Sequence, residues 1–193
     1  MKMRKEIEMN RQTVIIVLAD GFEETEAIGT ADVLKRIGLP VCLAGLNASP
    51  VTSSAGTRVL PDILFGEADL ENAAALVLPG GLPGATNLRD SREVIEALQT
   101  MHRAGKVVAA ICAAPIVLER AGLSEGRRMT GYPGTNQGLP KLVYTGNRTE
   151  CDDNIVTGKG PGVSFEFGAR IAAALGADPA KIKTVLDGMF ALR

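Results

Sequence analysis

Three segments of this chain are apolar without the polar alternation of a strand that faces water on one side. Val14-Ile15-Ile16-Val17-Leu18-Ala19 is rich in β-branched residues and stops at Asp20-Gly21. Ala73–Leu78 stops at Pro79-Gly80-Gly81, and Lys106–Ile111 runs straight into Cys112. Such runs read as strands buried on both faces, which requires helices above and below a mostly parallel sheet. The intervening segments supply those helices. Glu24–Ile37 carries an apolar stripe (Ala27, Ile28, Ala31, Val33, Leu34, Ile37) and ends at Gly38-Leu39-Pro40. A helix from about Arg92 to Arg103 follows Asp90-Ser91 and stops at Gly105. Another runs from Gly162-Val163-Ser164 to about Leu175, and a last one starts at Asp178-Pro179, with proline in its first turn. Val41–Ala44 reads as a further strand and Thr52–Leu60 as short edge strands around Gly56. Arg127–Thr130 and Leu142–Tyr144 read as short strands, and Arg148–Cys151 with Asn154–Thr157 as a hairpin around Asp152-Asp153. The fold expected is an α/β three-layer sandwich with right-handed crossovers.

A length of 193 residues suits one domain, and 46% hydrophobic with 22% charged residues is an ordinary globular mixture. The expected organisation is a polar N-terminal tail over residues 1–12 and a single domain over 13–193. The run Val14–Ala19 is about a third of a membrane span, and the acids Asp20, Glu23, Glu24 and Glu26 follow it, so a signal peptide or anchor is not expected. The expectation is a soluble, cytoplasmic protein. A net charge of -1 provides no basic field for nucleic acid or an acidic membrane. Three cysteines fit a reducing compartment rather than a disulfide scaffold.

There is one histidine, His102. Every Cys-His or Ser-His-Asp site, and every His-based metal cluster, must use it or be absent. His102 falls in the last turn of a helix that precedes a strand, which places it at the amino edge of the sheet, on a solvated surface. In open α/β sheets ligands sit beyond the carboxyl ends of the strands. Three strand ends there carry unusual residues: Asp20–Glu26, Pro79-Gly80-Gly81 and Cys112-Ala113-Ala114-Pro115.

Cys112, between a buried strand and a proline-started helix, has the setting of a nucleophile elbow without its Gly-x-Ser-x-Gly spelling. The helix N-terminus would lower the thiol's pKa. A small buried core cysteine is the competing reading. Three acids at a helix start are ordinarily explained by the macrodipole. Glu26, however, lies near the apolar stripe, where burial would raise its pKa and suit it to proton transfer. Gly80 and Gly81 would present backbone N–H groups to a substrate oxygen, or form a plain turn. Cys42 alternates within a strand and reads as core, and Cys151, beside Asp152, reads as exposed. The small residues Ala27, Gly29, Thr30 and Ala31 would serve either a partner or the protein's own sheet.

Four ordered motifs resemble the ThiJ/PfpI superfamily, in the branch of the human parkinsonism-associated deglycase and bacterial YajL. They are Gly21-x-Glu23-Glu24-x-Glu26, Val77-Leu78-Pro79-Gly80-Gly81, Ala109-Ala110-Ile111-Cys112-Ala113-Ala114-Pro115 and Gly160-Pro161-Gly162-Val163-Ser164-Phe165-Glu166-Phe167. The resemblance implies a flavodoxin-like sandwich, usually a homodimer. It implies Cys112 as the reactive cysteine and Glu26 as its protonated carboxyl partner. It also places oxyanion or substrate contacts at Gly80, Gly81, Ala113 and Tyr132. Ala113 stands where the protease-like and larger chaperone-like branches usually have histidine after the cysteine. Tyr132, in Gly131-Tyr132-Pro133, stands where the human branch has a histidine. An arginine frequent after the third strand aligns near Ala55, with Arg58 close by.

The activity implied is a glyoxalase without glutathione, turning methylglyoxal and related 2-oxoaldehydes into 2-hydroxy acids, or a deglycase of their early protein adducts. No cofactor, metal or nucleic acid enters that chemistry. The alternative is an oxidative-stress sensor or redox-regulated chaperone working through oxidation of Cys112. The lack of a neighbouring histidine argues against a protease.

Overall fold

A computed structural model describes residues 13–139 and 141–191, so the polar segment 1–12 lies outside the described residues. In chain order the elements are β1 (Val14–Leu18), a π-helical turn (Thr25–Gly29) that continues into α1 (Thr30–Ile37), β2 (Val41–Gly45), and the short strands β3 (Val51–Thr52), β4 (Arg58–Val59) and β5 (Ile63–Leu64). Next come β6 (Ala75–Leu78), α2 (Gly84–Asp90), α3 (Arg92–Arg103), β7 (Val107–Ile111), α4 (Pro115–Arg120), β8 (Arg128–Met129) and β9 (Val143–Tyr144). The hairpin β10 (Thr149–Asp152) and β11 (Ile155–Gly158) and the helices α5 (Ser164–Ala174) and α6 (Pro179–Gly188) complete the fold.

The central sheet has the order β10-β11-β7-β6-β1-β2-β5. Every neighbouring pair is parallel except the β10–β11 hairpin. Alternate residues of β1 serve opposite cores, which is why its sequence shows no polar face. Val14, Ile16 and Leu18 pack with Ala31, Leu34, Phe167, Ile171 and Ile182, from α1, α5 and α6. Ile15 and Val17 pack with Leu88, Leu98, Met101 and Leu118, from α2, α3 and α4. The three-layer α/β sandwich is as expected. Strand order reverses between β1 and β6, so the crevice at their carboxyl ends is the natural ligand site of the fold.

Three details depart from the sequence reading. The segment Gly84–Asp90 forms a helix, α2, although a Pro-Gly start is a poor helix signal. Ser91, at its end, caps α3 by accepting the Val94 N–H at 3.3 Å. A two-residue strand, β5, extends the sheet beyond β2. The helix expected from Glu24 begins instead with a π-helical turn. The small residues of that segment serve the protein's own packing: Ala27, Thr30 and Ala31 are buried, and a Cβ on Gly29 would lie 3.3 Å from the Phe165 ring of α5. No helix among the described residues is long and apolar enough to cross a membrane.

Candidate active site

Cys112 occupies the first position after β7, with backbone φ of 63°, in the left-handed region that costs a side-chain-bearing residue about 1–3 kcal/mol. Two hydrogen bonds hold it there. Its N–H donates to the Gly158 carbonyl at 2.9 Å, and its own carbonyl accepts the Tyr132 N–H at 2.8 Å. Pro115 then opens α4. This is the elbow expected from the sequence, and it leaves the residue 8% exposed.

Glu26 reaches the same place from β1. Glu23 donates its N–H to the Gly80 carbonyl at 3.0 Å, and its carboxylate accepts the Glu26 N–H at 2.6 Å. The π-helical turn inserts extra backbone at the start of the helix, a distortion that recurs at functional sites. Glu26 is thereby 1% exposed. Its Oε2 accepts the Gly80 N–H at 2.7 Å, and its Oε1 has no hydrogen-bond partner among the described residues. A Cβ added to Gly80 would lie 2.7 Å from the Cys112 Cβ and 2.9 Å from Glu26 Oε2, which fixes how closely nucleophile, carboxyl and backbone meet.

Burial pushes the Glu26 carboxyl from 4.5 up to about 7. Hydrogen bonding with Cys112 and Gly80 pulls it down, and the Glu23 charge adds to the rise. Burial likewise pushes the Cys112 thiol up to about 12, helped by the charge of Glu26 and hydrogen bonding to it. The Gly81 and Ala113 N–H groups oppose that rise. The pull expected from the helix N-terminus is opposed here by burial and by the Glu26 charge. Two negative charges this close in a dry site repel strongly. The pair therefore loses one proton readily and the second with difficulty, and the remaining proton is held between sulfur and carboxyl. When Glu26 keeps that proton, its charge no longer raises the thiol.

The glycines divide the work differently from the sequence reading. The Gly80 N–H is occupied by Glu26, so it holds the carboxyl rather than a substrate oxygen. Gly81 has φ of 83°, and a Cβ there would lie 2.5 Å from both the Glu23 nitrogen and the Gly21 oxygen. The N–H groups of Gly81 and Ala113 are the backbone donors facing the sulfur. Tyr132 is 55% exposed and lines a cleft of about 210 Å³ with the segment 159–163. Arg58 is exposed on β4. Its hairpin is tied to the site through Thr57, whose hydroxyl donates to Glu24 at 3.3 Å.

His102 lies in the last turn of α3, before the amino end of β7 and away from the strand carboxyl ends, as expected. It is half-buried rather than solvated, with Nδ1 enclosed and unpartnered among the described residues. Cys42 is core, its thiol pushed up to about 11 by burial, with the Asp62 charge adding. Cys151 is half-buried, its Sγ 3.5 Å from the Asp153 carbonyl. Among the described residues no group of three His, Cys, Asp or Glu side chains is placed to hold a metal ion.

Sequence reasoning missed Glu23 as the residue that fixes the π-helical turn, although its spacing of three from Glu26 is that of a capping side chain. It also missed Arg148, whose guanidinium pairs bidentately with Glu166 at 2.6–2.9 Å, and Lys159 beside Tyr132. Nothing local in the sequence links these residues, since 18 positions separate Arg148 from Glu166.

The DJ-1/PfpI family model matches residues 12–174. The chain belongs to the DJ-1/PfpI family. It is 37% identical to the protein dj-1beta of Drosophila melanogaster over 184 residues, 92% of this chain and 96% of that one. It is 32% identical to the glutathione-independent glyoxalase DJR-1.2 of Caenorhabditis elegans over 166 residues, 86% of this chain and 89% of that one. The crystal structure of Drosophila DJ-1beta superposes with a TM-score of 0.88 at 35% identity, covering 94% of this chain and 99% of that one. The mostly parallel sheet with its surrounding helices is thus the DJ-1/PfpI flavodoxin-like fold.

Proposed function

We propose that this DJ-1/PfpI protein is a cysteine-dependent glyoxalase that needs no glutathione. It would convert methylglyoxal and related 2-oxoaldehydes, free or as early adducts on protein, into 2-hydroxy acids. The observation that carries this reading is the buried contact of Cys112 and Glu26 at the strand switch, with the sole histidine elsewhere. The similarity to a relative named as a glyoxalase supports it.

In the proposed reaction the thiol proton passes to the Glu26 carboxylate as sulfur bonds to the aldehyde carbon. The carbonyl oxygen takes up a proton, giving a hemithioacetal. Glu26, again a carboxylate, removes the hydrogen from that carbon, and the electron pair moves into an enediolate. The Gly81 and Ala113 N–H groups stabilise its oxygen. Proton return to the neighbouring carbon gives a thioester of the 2-hydroxy acid, and water cleaves the carbon–sulfur bond to release the acid and the thiol. The sum is methylglyoxal plus water to lactic acid, with no net oxidation. A carboxyl near 7 is suited to taking and returning one proton at neutral pH.

Steady-state lactate production from methylglyoxal tests the reading. Wild type is expected to be active, Cys112→Ala inactive, and Glu26→Gln reduced at least about 100-fold, the usual contribution of a positioned acid–base group. Full activity in the Cys112 variant would end it. The sensor reading draws on the unpartnered Oε1 of Glu26, which, protonated, can donate to an oxidised Cys112. Selective gain of two oxygens at Cys112 under mild peroxide, with no 2-oxoaldehyde turnover, would favour that function. Burial of the thiol bears on both reactions alike, and the similarity to a relative named as a glyoxalase makes that reading the stronger.

A further inference from the structure

We infer that Glu23 is a positioning residue for the reaction at Cys112: the bond of its carboxylate to the Glu26 N–H closes a ring of three hydrogen bonds that aims both the acid and a backbone donor at the sulfur. The ring stands on geometry alone, and its effect on turnover rests on the glyoxalase reading.

Glu23, Gly80 and Glu26 each give one N–H to the ring. The Glu23 N–H donates to the Gly80 carbonyl at 3.0 Å, the Gly80 N–H to Glu26 Oε2 at 2.7 Å, and the Glu26 N–H to Glu23 Oε2 at 2.6 Å. Only the last bond uses the Glu23 side chain. The first acts across a peptide plane. The Gly80–Gly81 peptide is trans, so its N–H points away from its carbonyl. With the carbonyl tied to Glu23, the Gly81 N–H is turned to the opposite side, where it meets the Cys112 sulfur. The ring has no room for a side chain on either glycine. A Cβ on Gly80 would lie 2.9 Å from Glu26 Oε2, and one on Gly81 2.5 Å from the Glu23 nitrogen.

A carboxylate that accepts the N–H three residues on is ordinarily a cap that steadies a turn. Here the capped residue is the buried acid itself, and the cap's charge acts on it selectively. The Glu23 charge raises the Glu26 carboxyl, whereas the charge that acts on the Cys112 thiol is that of Glu26. Glu23 therefore favours a thiolate beside a neutral acid over a thiol beside a carboxylate. Among the described residues, Cys112 and Glu23 are the titratable groups that act on Glu26. Segment 79–81 presents the Gly80 N–H, α5 meets the turn through Ser164 and Phe165 at Gly29, and the hairpin that carries Arg58 reaches Glu24 through Thr57.

The test compares wild type with Glu23→Gln, which keeps an acceptor for the Glu26 N–H but loses the charge, and Glu23→Ala, which loses both. Alkylation of Cys112 by iodoacetamide, followed by peptide mass, needs no turnover. Glu23→Gln should match wild type at pH 5, where both groups hold their protons, and react about threefold more slowly at pH 8, where the remaining proton has moved toward sulfur. The acid limb of its kcat/KM profile for methylglyoxal should fall by about half a pH unit, with plateau kcat within about twofold of wild type. Glu23→Ala should lose about tenfold in kcat with KM within about twofold, as expected for a displaced acid. Equal alkylation of Glu23→Gln and wild type at pH 8, a deficit of the same size at pH 5 and pH 8, or wild-type kcat in Glu23→Ala overturns the inference. If Glu23→Ala does not fold, the Gln variant decides alone. Absence of turnover of every 2-oxoaldehyde by wild type, with the pH 8 difference in alkylation present, would sink the glyoxalase reading and leave the positioning of Glu26 standing.

Discussion

Glu26→Gln isolates the thermodynamic cost of placing an acid where the fold places this one. In the folded protein burial holds the carboxyl at about 7, against 4.5 when solvated. The folded state thus binds this proton more tightly than the unfolded chain, so stability falls as pH rises through the window between 4.5 and 7 and the full cost is present above it. A gap of 2.5 units at 1.36 kcal/mol per unit amounts to about 3 kcal/mol. Gln has nearly the same shape, accepts the Gly80 N–H and carries no titrating group. Urea unfolding of both proteins at pH 4 and pH 8 gives the difference that matters. Relative to wild type, Glu26→Gln should gain about 3 kcal/mol between pH 4 and pH 8, or roughly 6–12 °C in thermal midpoint for a domain of this size. A difference independent of pH would refute the reasoning. It would mean that Glu26 titrates in the folded protein where it does in the unfolded chain, near 4.5.

Two further outcomes follow from the geometry. Gly80→Ala puts a methyl group 2.7 Å from the Cys112 Cβ and 2.9 Å from Glu26 Oε2, so it should lower stability by about 1–3 kcal/mol in urea unfolding and slow alkylation of Cys112 by iodoacetamide. His102→Ala should keep lactate production within about twofold of wild type, because the histidine lies beyond the opposite end of the sheet; a loss comparable to that of Cys112→Ala in the same assay would show that it takes part in the reaction.

The layers of this protein are legible in its sequence because burial on two faces leaves a mark on every residue. Val14–Leu18 and Val107–Ile111 have no polar alternation, and the helices between them carry the 3.6-residue stripe. The elbow is legible too, since an apolar strand meeting Cys112 and then Pro115 forces a sharp turn before a helix. The short elements at 63–64 and 84–90 were not, because two residues carry no period and a Pro-Gly start argues against a helix. Neither was the π-helical turn, which follows a residue, Glu23, bonded to Gly80 57 positions away.

The sequence by itself determined the sheet, the layers, and which end of the strands would hold Cys112, Glu26 and the glycine pair, because periodicity and turn chemistry are local. Only the tertiary structure decided what those groups do to one another. It assigned the Gly80 N–H to Glu26 and the Gly81 and Ala113 N–H groups to the sulfur. It also set burial and the neighbouring carboxyl's charge against the pull of the helix N-terminus on the thiol. Hydrogen-bond partners and desolvation depend on distances between residues far apart in the chain, and those distances exist only once the strands are side by side.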